Sequence, residues 1–478
     1  MKKYNYRHLA KIVVEAASPL AIGTGATHIL TDSPVATDIN GLPFIPATSL
    51  AGVIRHALDD DSLFGFPGAD GGEGSKIIFT DAVMIGKDGR AVDGLGNIDF
   101  NDDFYRHYAN MPVRQHVKMN HRGVAEQSEK FDGQVVYKGT RFVFELEIAS
   151  ETDNSQALKD IIEKLQSASF RIGGGTRKGY GELKVIGHLC KTAIIDMTNN
   201  ADLDAYLSKS ALLSLDWEKY ADFSLPSVET SPSGWTIYKL TLKPEDFTLF
   251  GSGLSDDDAD KNSPPPFSFF IFLFGSGLSD DDADNVSATE YVVNWKNENG
   301  VETPHFDDVR LLIPASSIKG AIAHRTAYHY NKLSGYFATD QTIRSKAPNA
   351  AVKALFGFAG DNSSDSCRGN VIMSDLFANT PTQKVMHHVK IDNFTGGTIN
   401  GALFQEKVAV AGGQNFTLEI LINNNIAFDG DKEKVYLAFE TALIDLCEGL
   451  LPLGGATNRG YGIFSGKLTK NGKTIYPN

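Results

Sequence analysis

The chain has 478 residues, 42% hydrophobic and 22% charged, with 59 Asp and Glu against 45 Lys and Arg for a formal net charge of −14. That length suits two globular domains, and the composition excludes a chain disordered throughout. Cys190, Cys367 and Cys447 lie too far apart for a paired zinc or disulfide framework, which predicts a reducing, cytoplasmic setting.

The opening MKKYNYRHLAKIVVEAAS alternates polar and apolar residues and lacks the apolar core of a signal peptide. The longest apolar run, FSFFIFLF at Phe267–Phe274, is too short to span a bilayer, so a soluble protein with no membrane partner is expected. Much of the negative charge sits in blocks, LDDDS at 58–62 and two copies of SDDDAD, which read as solvated loops. The stretches Arg114–Arg122 and Arg171–Val185 are locally basic, which leaves room for one positive face on an acidic body.

In chain order, KIVVEA predicts a strand, and TSLAGVIRHALDD predicts a helix capped by Thr48 or Ser49 with Leu50, Val53, Ile54 and Ala57 at helical spacing. RFVFELEI alternates Phe142, Phe144, Leu146 and Ile148 onto one face of a strand, and SQALKDIIEKLQSA places Leu158, Ile161, Ile162 and Leu165 on one face of a helix. After the glycine-rich IGGGTRKGYG comes a strand at ELKVIG, then a polar connector over roughly Thr192–Trp235. A strand at IYKLTL, an acidic insertion at about 249–308 and the helix KEKVYLAFETALIDLCEGL with Phe439, Leu443 and Leu446 complete the chain.

Six motif pairs recur in the same order. FIPATSLAGVIRH (from Phe44) matches LIPASSIKGAIAH (from Leu312), LFGFPG (Leu63) matches LFGFAG (Leu355), and IFTDA (Ile78) matches IMSDL (Ile372). HVKMN (His116) matches HVKID (His388), FVFELEI (Phe142) matches FTLEILI (Phe416), and IGGGTRKGYGEL (Ile172) matches LGGATNRGYGIF (Leu453). Ordered matches of this kind predict a duplicated domain: a first unit over 1–191, a connector over 192–235 and a second unit over 236–478. The element order suits an α+β fold, two tandem ferredoxin-like β-α-β-β-α-β sandwiches with large insertions. Separately, LFGSGLSDDDAD occurs twice without change, at 249–260 and 273–284, and only one copy is expected to belong to the fold.

Glycines let backbone amides approach a phosphate, and Arg177 and Lys178 add charge, so the glycine segment reads as a phosphate cradle or as a tight turn before a strand. It is neither a P-loop nor a dinucleotide fingerprint, because a strand follows it. The starts of the IPATS and IPASS helices offer free amides and hydroxyls, which serve either as structural caps or as an anion site.

The combination of IGTG at Ile22, IP(A)(T/S)S heading a helix, LFG, F(T)DA and the closing G(G/A)TxxGYG resembles the RAMP superfamily of CRISPR-associated proteins. Within it, DSPVATDINGLPFIPATSLAGVIRHAL is similar to the backbone subunit of type III effector complexes, here in a tandem form of the kind found in subtype III-D. The resemblance implies binding of a CRISPR guide RNA and its complementary target, neighbouring backbone, large and small effector subunits as partners, and target cleavage. It implies Asp32 as the catalytic and metal-binding aspartate, with a divalent cation, Mg²⁺ first, as cofactor. Thr48, Ser49, Arg55, Gly173, Gly174, Gly175, Arg177 and Lys178 would hold the guide backbone, and an excursion around Lys118–Lys130 would form a thumb hairpin wedging into the duplex.

Read from the residues alone, Asp32 in Asp-Ser-Pro also suits an Asx turn, and Asp38 is the rival carboxylate. Arg114, His116, Lys118, His121 and Arg122, with His387, His388 and Lys390 in the second repeat, are candidates for RNA contact, whereas Phe142, Phe144 and Phe416 read as core. The second-repeat counterparts of the RNA-holding residues are Ser316, Ser317, Lys319, Gly454, Gly455, Asn458 and Arg459. No DSPV-like loop is evident there, and Asp282, Asp284 and Asp308 are the candidates to replace Asp32. Three readings follow: an RNA-guided endoribonuclease backbone, a non-cutting guide scaffold, and a ferredoxin-like enzyme binding a phosphorylated small molecule. A guide-processing nuclease is a further enzyme possibility, for which no general-base histidine stands out.

Overall fold

Strands built from alternating apolar residues form the centre of each repeat in the computed structural model, which describes residues 4–25, 31–68, 71–119, 125–153, 156–226, 234–251, 283–336, 348–358, 366–379, 382–426, 428 and 430–477, with the backbone alone at 118–119 and 125–130. The first repeat runs β1 (Tyr6–Ala16), α1 (Ala47–Leu58), β2 (Ile77–Phe79), a hairpin of β3 (Val113–Met119) and β4 (Ala125–Gln134), β5 (Arg141–Ser150), α2 (Gln156–Gln166) and β6 (Leu183–Val185). The second runs β7 (Trp235–Pro244), a hairpin of β8 (Thr289–Glu298) and β9 (Val301–Ile313), α3 (Ala315–Leu333), β10 (Val371–Ile372), a hairpin of β11 (Gln383–Ile391) and β12 (Thr398–Val410), β13 (Phe416–Asn423), α4 (Lys432–Cys447) and β14 (Phe464–Lys470).

Both central sheets are antiparallel and share one order: β2-β5-β1-β6 in the first repeat and β10-β13-β7-β14 in the second. Register is set by the apolar alternation, with Ile12 opposite Phe144 and Leu240 opposite Leu418. In the first core, Phe142, Phe144, Leu50, Ile54, Ile161 and Leu165 pack together; Leu418, Ile318, Ile322, Phe439 and Leu443 do the same in the second. Phe416, like Phe142 and Phe144, is buried, as the alternation requires.

The segment expected as a connector adds a strand, Lys191–Asp196, along Tyr6–Lys11 of β1, and a helix, Asn200–Leu207. The acidic insertion contributes the β8–β9 hairpin, which packs on the first repeat. Phe306 stacks on His107 with ring centroids 4.1 Å apart, Trp295 Nε1 donates to Gly139 O at 2.8 Å, and the Arg141 guanidinium lies 4.1 Å from the Trp295 ring centroid. Among the described residues no helix is long and apolar enough to cross a membrane.

The helix starts differ from expectation. Thr48 and Ser49 already lie inside α1, and Pro46 holds the cap position with no side-chain acceptor. The cap arrives from the IFTDA motif instead: Ala47 N donates to Asp81 Oδ1 at 2.7 Å, and in the second repeat Ala315 N donates to Asp375 Oδ1 at 2.7 Å. A carboxylate at this helix end satisfies both an orphan amide and the helix dipole. The α1 and α3 N-termini are thus occupied by the chain's own anions.

Candidate nucleic-acid interface

Asp32 lies on an exposed loop stitched to the root of the β3–β4 hairpin. Asp32 N donates to Asp132 Oδ1 at 2.9 Å, Asp132 N donates to Asp32 Oδ2 at 3.1 Å, and Gln134 N donates to Ser33 O at 3.0 Å. The next residues hold the loop too, with Val35 N donating to Gln134 Oε1 at 3.1 Å. The second oxygens of both carboxylates take no partner among the described residues. Asp38, the rival, is consumed by its own turn, accepting from Asn40 N at 2.8 Å and Leu42 N at 3.0 Å.

The second repeat reproduces this loop, which the sequence did not reveal. Ala36 N donates to Ile22 O and Ala288 N to Phe250 O; Gly23 bridges Val35 and Gly251 bridges Ser287. In that register Asp284 stands where Asp32 does, and its Oδ2 accepts from Gln405 N at 2.8 Å, Gln405 being the counterpart of Asp132. DNVSA at 284–288 is therefore the structural equivalent of DSPVA at 32–36. Asp308 lies on β9, bound to Arg310 at 2.8 Å and Asn294 at 3.0 Å, and Asp282 is outside the described residues.

Part of the glycine segment's backbone is engaged by the chain itself. Gly174 N donates to Ala21 O at 2.7 Å, and a side chain at Gly179 would strike both the Asp375 carboxylate and Ala315 Cβ, the latter at 2.7 Å. These glycines permit close docking: the first repeat's loop seats against the start of α3 in the second repeat. Arg177 Nε donates to Gly369 O at 2.8 Å and Lys319 Nζ to Arg177 O at 3.1 Å.

The docking gathers cations. Arg177, Lys178, Lys319 and Arg368 converge at this junction, and none makes an ion pair among the described residues. Burial, reinforced by Arg177 and Lys178, pushes the Lys319 ammonium down to about 8, and burial with Arg368 and Arg171 lowers Arg177 to about 10. Lys178 is likewise lowered by burial and sits 4.1 Å from the centroid of the Phe131 ring, on which His116 stacks at 5.0 Å. Mutually repelling cations without an ion-pair partner leave a local excess of positive charge, which favours an anion.

Other candidates are placed elsewhere. Arg114 is not at the surface: its Nε donates to Glu290 Oε2 at 2.9 Å and its Nη1 lies 3.4 Å from Asp375 Oδ2, a buried cluster joining the repeats. Burial raises the Asp375 carboxyl to about 6 against the opposing pull of Arg114, and burial raises Glu290 as well. His116 bonds to Tyr180 OH at 3.1 Å and is pushed down to about 4 by burial, then by Lys178 and Arg114, so it is neutral near pH 7 and brings no charge to RNA. Arg55 sits in the last turn of α1, paired with Asp61 at 2.7 Å. Thr48 and Ser317 are exposed, and Ser49 and Ser316 half-buried, at the capped helix starts; Gly454 and Gly455 dock on Leu249 as Gly173 and Gly174 dock on Ala21. His387 and Lys390 are exposed on β11, as is Asn458 on its loop; Lys118 lies on β3, and His121 and Arg122 fall outside the described residues. Sequence reasoning missed Asp132, Arg368 and Glu406. The aligned HVK motifs, once placed on hairpins, carry the register that identifies the first and third.

A family model described as the RAMP superfamily matches residues 13–184 and 249–465, one region per repeat. No curated protein matches the chain at a significant level.

Proposed function

The chain belongs to the RAMP superfamily in two successive regions, and from that premise we propose that it is a tandem backbone subunit of a type III CRISPR complex that holds guide RNA and cleaves the paired target. Two RAMP regions in one chain support the tandem form of the subtype III-D kind. The sheet order β2-β5-β1-β6, repeated in the second half, supports a ferredoxin-like unit, and the β3–β4 and β11–β12 hairpins are suited to the role of thumbs. On this reading the partners are guide RNA, target RNA and flanking backbone, large and small effector subunits, in a cytoplasmic complex.

The observation that carries the proposal is the repeat-related pair Asp32 and Asp284: exposed carboxylates in one register at the roots of two hairpins, in a chain whose first glycine loop carries cations without an ion-pair partner among the described residues. The cations suit phosphate backbone, whose binding rests on Lys and Arg charge. The target is cut by its own 2′-oxygen, which loses its proton and attacks the adjacent phosphorus while the P–O5′ bond breaks and the 5′-oxygen takes a proton. In-line placement of these atoms, forbidden in an A-form helix, follows from displacing one nucleotide at the thumb.

Asp32 fits a divalent cation: its unengaged oxygen is a hard donor, Asp132 adds a second negative charge beside it, and Mg²⁺ commonly takes one or two carboxylates with water and substrate phosphates. Among the described residues no group of three or more His, Cys, Asp or Glu converges. A bound Mg²⁺ would stabilise charge on the phosphoryl oxygens.

The test is target-RNA cleavage by the reconstituted complex with Mg²⁺, carrying Asp32→Ala, Asp284→Ala or both, with guide retention measured in the same samples. Each single variant is expected to remove a distinct product while guide and target stay bound. An unchanged product ladder for both singles and the double overturns the nuclease reading in favour of a guide scaffold.

A further inference from the structure

The two glycine loops place their cations in matching surroundings with one decisive difference. In the first repeat, Lys178 lies over Phe131, and His116 stacks on the same ring at 5.0 Å and 24°. In the second, Arg459 lies over Phe404 at 5.5 Å, and His388 stacks on that ring at 4.9 Å and 23°. Strand pairing confirms the correspondence, with His116 opposite Phe131 and His388 opposite Phe404. Two residues beyond the aromatic, the first repeat has Gly133 and the second has Glu406.

Glu406 fills the second site with a carboxylate. Its side chain is 6% exposed, and both its oxygens accept from Arg459 Nη2, at 2.5 and 2.6 Å, while His388 Nε2 lies 3.1 Å from Oε2. Lys178 meets no carboxylate among the described residues. A phosphate reaching Arg459 must displace an anion already bound in bidentate fashion, whereas one reaching Lys178 displaces only water.

We infer that Glu406 is an internal competitor for RNA phosphate, which disables the second glycine loop as a backbone anchor and assigns that role to the first loop and its junction with α3. This rests on the reading of the loops as RNA-holding. Chains of this design would grip the RNA asymmetrically, tightly at one repeat and loosely at the next, so that a backbone phosphate at the second hairpin stays free to move.

The test is equilibrium binding of fluorescein-labelled oligouridine to the full chain across a salt series, with folding checked by thermal melting. Lys178→Ala is expected to weaken binding severalfold, while Arg459→Ala leaves it within about twofold of wild type, each lost phosphate contact lowering the salt slope by about 0.7. Glu406→Gly is expected to tighten binding about three- to tenfold and steepen the slope by about 0.7; Glu406→Gln, which keeps the packing, acts in the same direction. Adding Arg459→Ala to either variant returns binding to wild type. If neither Glu406 variant tightens binding, or Arg459→Ala weakens it as much as Lys178→Ala, the inference is wrong. A Lys178→Ala chain that binds normally overturns the first-loop reading instead, whatever Glu406 does.

Discussion

Asp32 and Asp132 hold each other in place: each backbone amide donates to the other's carboxylate, at 2.9 and 3.1 Å. The exchange pins the Asp32 loop to the base of the β3–β4 hairpin and brings two negative charges together in an exposed position. The second repeat keeps the pinning and drops the second charge, because Gln405 replaces Asp132 and the Asp284 amide is taken by the Gln405 carbonyl at 3.0 Å.

Asp132→Asn should therefore preserve the loop, since an amide oxygen still accepts from Asp32 N, and cleavage at saturating Mg²⁺ should stay within about threefold of wild type. The Mg²⁺ concentration for half-maximal rate should rise severalfold, reflecting one lost charge. Asp132→Ala removes the acceptor and should slow cleavage about tenfold, the equivalent of roughly 1.4 kcal/mol. Mg²⁺ titrations of single-turnover cleavage check both; an Asp132→Ala complex that cuts at the wild-type rate refutes the positioning role.

RNA affinity should depend on pH through Lys319. Its ammonium is held down to about 8 by burial and by Arg177 and Lys178, and a bound phosphate favours the charged form. The sign follows: above pH 8 the free protein has lost this proton, binding must recover it, and affinity falls as pH rises, by at most about tenfold per unit for one proton. Lys319→Arg, charged throughout, should flatten the profile between pH 7.5 and 9.5. A wild-type profile equally flat over that window would show that no phosphate reaches this cation.

The repeat, the strands and the paired helices were legible because apolar alternation and helical spacing act locally: Phe142 and Phe144 had to share a face. The task of each motif was less legible. IFTDA and IMSDL stood out as a pair, yet only the fold brings Asp81 and Asp375 to the helix starts, where they displace the predicted Thr48 and Ser49 caps. The glycine loop reads equally as a phosphate cradle or a tight turn because sequence carries no trace of which backbone it will touch. Its closeness to α3 is a tertiary fact, and the same contact turned isolated Arg177, Lys178, Lys319 and Arg368 into a cluster. Asp284 was one of three candidates and could not be singled out in sequence, because 32 residues separate it from the Gly251 that shares its loop where eight separate Asp32 from Gly23.

The buried cluster of Arg114, Glu290 and Asp375 should make the joining of the repeats sensitive to charge. Two carboxylates share one guanidinium, and Arg114→Met, which removes their common ion-pair partner, should destabilise the chain by about 3–5 kcal/mol. Asp375, raised to about 6 in the folded chain from an ordinary 3.8, adds stability that is complete below pH 4 and disappears as pH rises through 6, on the order of 3 kcal/mol. Asp375→Asn mimics the protonated group, so the variant should gain on wild type steadily between pH 4 and 6.5. Chemical denaturation at several pH values measures that difference; a gap independent of pH would mean the carboxyl titrates normally.

The duplicated LFGSGLSDDDAD has a structural consequence. The fold uses the beginning of one copy and the end of the other: Leu249 O accepts from Gly455 N at 2.7 Å and Phe250 O from Ala288 N at 2.6 Å, while Asp284 closes the second copy against Gln405. Removing the 24 residues 249–272 would leave a single copy, GSGLSDDDAD, with the same spacing from glycine to aspartate as GTGATHILTD at 23–32. The shortened chain could then form the second loop in the register of the first, with Leu273, Phe274 and Gly275 taking the places of Leu249, Phe250 and Gly251. Deletion of 249–272 is expected to leave the melting temperature within about 2 °C, less than the shift for 1 kcal/mol in a domain of this size, and RNA affinity unchanged. If the shortened chain fails to fold or loses the product assigned to Asp284, the intervening residues are part of the second site rather than an insertion into it.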